Sequence, residues 1–137
     1  MKLDPSAFLA NTELILALER RATAISCDED RVLFRQGDDS AGLYILHTGE
    51  VTLSMDSPQG KPILCTQATG GSLLGLPGLV GNEPYSLTAI ARKGAEVSFV
   101  SRDQFTALMQ ADPLLSLKIL QVLAAEVRSA RKAILSR

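Results

Sequence analysis

At 137 residues, 46% of them hydrophobic and 21% charged, the chain has the size and composition of one compact domain, which excludes a disordered segment. A formal net charge of −1 excludes the basic surface that nucleic acid would need as the main partner. No run approaches the roughly 18–20 apolar residues of a membrane helix, and the N-terminus breaks at Asp4-Pro5 before any leader-like segment develops. The expectation is a soluble cytoplasmic protein without membrane contact, its two cysteines, Cys27 and Cys65, reduced and partly buried.

Asp4-Pro5 has the form of a helix cap followed by proline at the first helical position. Phe8, Leu9, Leu14, Ile15, Leu16 and Leu18 then recur at helical spacing, which predicts one or two short helices to about Glu19. Beyond them the pattern changes. ATAISCDED, RVLFRQGDDS, GLYILHTGE, VTLSMDSPQG and KPILCTQATG are short apolar runs parted by Asp, Gly, Ser and Pro, the rhythm of successive antiparallel strands. Val51, Leu53 and Met55 alternate with polar residues, and Ser57-Pro58-Gln59-Gly60 carries the chemistry of a hairpin turn. AEVSFVSR supplies one more strand.

Helix returns at Ser101, where Gln104 three residues on completes a capping box for a helix to about Gln110. Asp112-Pro113 opens a second helix that can run to the C-terminus. Its first leucines, Leu114, Leu115 and Leu117, are expected to pack on the protein's own strands. Leu120, Leu123, Val127, Ala130 and Ile134 follow at 3-4-3-4 spacing, the seam of a short coiled coil, and predict a homodimer interface. Arg128, Arg131, Lys132 and Arg137 suit the negative end of the helix dipole rather than a nucleic-acid patch.

Residues 32–51, VLFRQGDDSAGLYILHTGEV, resemble the signature of the cyclic-nucleotide-binding domain family, which includes the sensor half of Crp/Fnr-type regulators. Gly37-Asp38 and Gly49 take the turn places of that signature, and Leu43, Tyr44, Ile45 and Leu46 take its strand. The order downstream is similar as well: a hairpin, a Gly-rich stretch at 70–79, a strand ending at Val100, then two helices. The resemblance implies a mainly β fold, an antiparallel β-roll or jelly roll with short N-terminal helices and a long C-terminal helix. A single domain is expected over 1–137: helices at 1–20, the roll at 21–100, helices at 101–137.

In that family a short cassette in the roll grips the cyclic phosphate: Gly-Glu-apolar-small-Leu, a loop, then Arg-(Ser/Thr)-Ala. The glutamate accepts from the ribose 2′-hydroxyl, the arginine neutralises the phosphate, and helix-end amides complete the cradle. Here Gly75, Leu76, Pro77, Gly78 and Leu79 fall on the first part, and Leu87, Thr88 and Ala89 on the second. Leucine therefore stands at both charged places, at Leu76 and at Leu87, and Pro77 removes a backbone donor. Realignment by one residue puts Ser86 or Thr88, not a cation, at the arginine place, and Arg92 and Lys93 read as exposed turn cations. The base-contacting positions of the long helix fall near Ala130 and Arg131. Losing one partner of a buried charge pair costs about 2–5 kcal/mol, or roughly 30- to several-thousand-fold in affinity. Leu76 and Leu87 are expected to fill the space of the nucleotide.

Other chemistries lack their residues. Two cysteines cannot hold a four-thiolate cluster, and the single histidine, His47, cannot build a cupin-type metal site; no nucleophile–base pair is evident, and no enzyme, cofactor or metal is expected. The family's DNA-reading helix-turn-helix would lie beyond Arg137, so this chain alone is not expected to bind nucleic acid. The expected function is a regulatory or sensor module that acts through dimerisation or a protein partner, without cyclic AMP or GMP bound in the family's usual way, and with either no nucleotide or an unidentified apolar or weakly anionic ligand. The alternatives are a genuine cyclic-nucleotide sensor, or the sensor half of a Crp/Fnr-type regulator cut from a longer chain.

Overall fold

The computed structural model describes residues 3–135. A short 3-10 turn at Pro5–Phe8 and α1 (Thr12–Glu19) precede eight strands: β1 (Thr23–Ile25), β2 (Arg31–Phe34), β3 (Gly42–Thr48), β4 (Val51–Asp56), β5 (Pro62–Ala68), β6 (Ser72–Leu74), β7 (Thr88–Ala91) and β8 (Glu96–Ser101). Helix α2 (Leu76–Gly81) lies between β6 and β7, and α3 (Arg102–Ala111) and α4 (Leu114–Leu135) close the chain. The strands form two antiparallel four-stranded sheets, ordered β1-β8-β3-β6 and β2-β7-β4-β5. This is the expected roll. The strands β6 and β7 were not expected from the sequence. All three residues of β6 are buried, so the alternation that betrays a half-exposed strand is missing there.

Local signals hold where caps and turns set them. Asp4 accepts from the Ser6 amide at 3.0 Å, and Ser101 Oγ accepts from the Gln104 amide at 3.2 Å. Asn11 caps α1 in the same way, accepting from Glu13 N at 2.8 Å.

Strands β3, β6 and β8 of the first sheet are largely buried on both faces. Leu46, Leu74 and Val97 point into the roll with Phe34, Val51, Leu53 and Ala89 of the second sheet. Leu43, Ile45, Leu73 and Val100 point outward and are covered by Leu14 and Leu18 of α1, Leu76 and Leu79 of α2, Phe105 and Leu108 of α3, and Leu115, Ile119 and Val122 of α4. Of the early α4 leucines expected on the roll, only Leu115 packs; Leu114 and Leu117 remain 72% and 60% exposed. A helix turns most of each run of leucines away from any one neighbour, so spacing and not composition chooses the packed residue. Cys27 is buried and Cys65 exposed, both free, so the expectation of two partly buried thiols holds for neither in detail. Among the described residues no helix is long and apolar enough to cross a membrane.

The β3–β4 turn tests how tightly this layer is closed. Gly49 has φ +90°, and a Cβ there would stand 2.8 Å from Ala95 Cα; Gly60, in the β4–β5 turn, has φ +80° but open space around it. Both Gly49→Ala and Gly60→Ala incur the left-handed penalty, about 1–2 kcal/mol. Urea denaturation is expected to show a larger loss for Gly49→Ala, because only there must backbone also move.

Candidate functional site

The segment between β6 and β7 shapes one end of the roll interior. Gly75 adopts φ +85°, ψ 9° and starts α2 without a side-chain cap. The chain then passes Glu83 and Pro84 to Tyr85, which is pinned to the β2–β3 loop by Tyr85 N donating to Asp38 O at 2.9 Å and Gly37 N donating to Tyr85 O at 2.8 Å. The Tyr85 hydroxyl donates to Gly42 O at 2.7 Å and receives the Gly42 amide at 3.3 Å. Its ring stacks on Phe34 with centroids 4.0 Å apart. Burial pushes the Tyr85 phenol above its ordinary value.

Phe8, Phe34, Leu53, Leu74 and Leu87 supply apolar walls to a cleft beside this loop, with Gly75, Pro77, Gly78, Tyr85 and Ser86 at its edge and Glu126 of α4 across it. The cleft measures ≈ 340 Å³ with its mouth, but only ≈ 30 Å³ is open to the centre of a water molecule. That is room for a water or two, not for a nucleotide.

The two leucines at the charged places part company. Leu87 is half-buried against the roll core and lines the cleft. Leu76 does not line the cleft: it is fully buried in the outer core, among the residues that α1, α3 and α4 lay over the first sheet. The physical reason is its place at the start of α2, which turns Leu76 toward the helical layer and leaves Pro77 and Gly78 along the cleft. Leu79 packs in the outer core too, Ala89 is buried inside the roll, and Thr88 Oγ1 accepts from the Gln36 amide at 2.9 Å. The cassette thus splits between two cores.

No lysine or arginine lines the cleft among the described residues. Arg92 is held outside by Asp30 Oδ2 at 3.1 Å and by Thr52 Oγ1 at 2.9 Å, and the Lys93 amide donates to the same carboxylate. Arg102 donates to the carbonyls of Leu79 at 3.1 Å and Ser40 at 2.7 Å.

The charged group that does reach the cleft is an acid, which sequence reading overlooked. Glu126 Oε1 is shielded from solvent without a hydrogen-bond partner, and burial pushes the carboxyl up from 4.5 to about 8. The heptad reading fixed on the apolar positions of α4 and passed over Glu126, although it stands four residues after the buried Val122 and four before Ala130, on the inward face. The helix is laid against the N-terminal 3-10 turn, where the Asp4 amide donates to Ser129 Oγ at 2.9 Å and Ala130 packs on the roll core.

The expected dimer seam is also divided. Leu120 and Val127 are each 56% exposed, whereas Leu123 and Ala130 are half-buried against the protein's own cores; the Ile134 side chain lies outside the described residues. Leu117, Leu120 and Val127 form the outward stripe.

A second group of polar residues lies on the outer face of the first sheet. His47 Nε2 is 2.9 Å from Glu19 Oε2 and 3.0 Å from Ser98 Oγ, and Ser98 Oγ donates to Glu19 Oε1 at 3.1 Å. A serine–histidine relay requires the carboxylate on the other ring nitrogen, so that Nε2 is free to take the serine proton. Here acid and serine meet the same nitrogen and the serine proton goes to the acid. The trio ties α1 to β3 and β8. Glu19 Oε2 meets His47 at ion-pair distance without hydrogen-bond geometry.

With this geometry in place, similarity to known proteins decides the family. The family described as "Cyclic nucleotide-binding domain" matches residues 24–112. The chain belongs to that family. Lysophospholipase nte1 of Neurospora crassa is 25% identical over 116 residues, and that of Aspergillus fumigatus 22% over 115; the matches cover 85% and 84% of this chain but 8% of each fungal protein. Among solved structures, the catabolite activator protein of Thermus thermophilus superposes with a TM-score of 0.77 at 24% identity, over 96% of this chain and 62% of that one. A transcriptional regulator of Thermotoga maritima gives 0.74 at 16% identity, over 88% and 94%. These structures show the shared fold, and the match to the fungal proteins spans a small part of their length.

The cleft predicts an inverted pH dependence of stability. Because the folded Glu126 carboxyl titrates near 8 and its ordinary value is 4.5, the folded state holds the extra proton between these limits, and stability falls as pH rises through them. Glu126→Gln is expected to stabilise the protein by about 1–3 kcal/mol at pH 8.5 and by much less at pH 4.5, read from urea midpoints.

Proposed function

We propose that this chain is a regulatory module of the cyclic nucleotide-binding family that does not take cyclic AMP or GMP in the family's usual way, and that it acts through α4. Leu87 in the cleft is the single observation that carries the reading. The place expected to hold a phosphate-neutralising arginine instead adds hydrocarbon to a nearly filled space. The absence of lysine and arginine from the described walls supports it, as does the carboxyl of Glu126, which repels a phosphate when ionised. Leu117, Leu120 and Val127 support pairing of α4 with a second copy of the chain, a compact apolar stripe on the face turned away from the roll.

Calorimetric titration with cyclic AMP and cyclic GMP tests the first part. No binding in the micromolar range is expected from the wild type; micromolar binding of either would establish the alternative, a genuine nucleotide sensor. Leu87→Arg alone is expected to raise nucleotide affinity at least about tenfold, whereas adding Leu76→Glu is expected to unfold the outer core rather than restore a sugar contact. Light scattering tests the second part. The wild type should give twice the 14.7 kDa mass of one chain, and Leu120→Glu with Val127→Glu should give one. An unchanged mass in the variant would remove α4 as the interface.

A further inference from the structure

We infer that the cleft under α4 is a binding site for a compact organic ammonium, an apolar body whose cationic head is received by Glu126, an assignment that rests on the reading above that the cleft no longer serves a cyclic phosphate.

The walls set the chemistry. Phe8, Phe34, Leu53, Leu74 and Leu87 make a slot for hydrocarbon, and Glu126 is the one charged residue among the described residues that line it. Its Oε1 is shielded from water with no donor offered by the protein, so a buried acceptor is left open. An ammonium group supplies the missing donor and the opposite charge together, at a site where the low dielectric strengthens both. The aromatic rings in the same wall also favour a cation over an anion near their faces. An anion meets the reverse: an acid in front of it, and Arg92 and Arg102 held elsewhere.

The size of the occupant is limited by the space. With ≈ 30 Å³ open to a water centre inside a ≈ 340 Å³ cleft, a short alkyl chain fits once the half-buried Leu87 side chain or α4 gives way, and a nucleoside does not. Because Glu126 lies on α4, an occupant held by it ties the helix to the roll. Leu120 and Val127 lie on an exposed flank of the same helix, about a third of a turn round from Glu126, so occupancy of the cleft bears on the face proposed to pair.

Proton linkage gives a signature that packing alone lacks. The free carboxyl titrates at about 8, and the bound form must be ionised, so binding below that pH releases a proton and affinity rises with pH until it levels off. The other titratable group of the wall is Tyr85, held by Gly42; Asp4 and Lys132 are the charged groups at the neighbouring contact of the N-terminal turn with α4.

The test is calorimetry on the full chain with butylammonium, butyrate, 1-butanol and cyclic AMP at pH 6.5 and 8.5, in buffers of differing ionisation enthalpy. Butylammonium is expected to bind about tenfold or more tighter at the higher pH, releasing close to one proton at pH 6.5, with butyrate silent. Glu126→Gln, which retains the shape of the side chain, should lose both the affinity and the proton release. Equal binding of butanol and butylammonium, undiminished binding by Glu126→Gln, or no butylammonium binding at either pH would each overturn the assignment and leave the proposed function standing. Micromolar binding of cyclic AMP would overturn both.

Discussion

The burial of β3 and β8 on both faces is the constraint on which the molecule depends. Tyr44 and Leu46 face the roll while Leu43 and Ile45 face the helices, and Val97 and Val100 repeat the division on β8. One sheet therefore serves two cores. The helical layer can sit nowhere else without exposing Leu43, Ile45, Leu73 and Val100, and fully burying one such side chain is worth about 1.5–3 kcal/mol. Once α3 and the first half of α4 are committed to that outer face, the second half of α4 continues along a rigid helix toward the N-terminal turn. The position of Glu126 over the cleft follows from this geometry.

Electrostatics then separates this cleft from the site that its family resemblance implies. A phosphate cradle places cationic side chains and free amides around an anion in a half-buried space. Here the corresponding space holds leucine, proline and an unpaired acid, while Arg92 is spent on Asp30 and Arg102 on backbone carbonyls. Together they reverse the sign of what the site welcomes, while the backbone path that makes the site is retained by Gly75 and by the Tyr85 anchors to Gly42, Gly37 and Asp38.

Much of the fold was legible because local chemistry set it. Asp4, Ser101 and the turn at 57–60 act within a few residues, and β3 and β4 announce themselves by composition and period. β6 and β7 were not legible, since β6 is buried throughout and looks like part of a loop rich in glycine and leucine. At the site, the sequence puts Leu76 and Leu87 together, whereas only Leu87 lines the cleft and Leu76 lies in the outer core. Adjacent residues at a helix start point in different directions, and the packing of the layers, not the alignment, determines which of them meets the cleft. Leu123 and Ala130 were assigned to a second chain for the same reason: an apolar stripe records that a helix face is buried, not what buries it.

By itself, then, the amino-acid order determined the roll, its capping and turn residues, and a leucine rather than a cation at position 87, because each is a property of a residue and its near neighbours. Only the tertiary structure decided that Leu76 joins the outer core, that Leu117, Leu120 and Val127 face solvent, and that Glu126 closes the cleft without a partner. Those outcomes depend on how two sheets and four helices share a single set of buried faces, and contacts between elements far apart in the chain leave no local pattern to read.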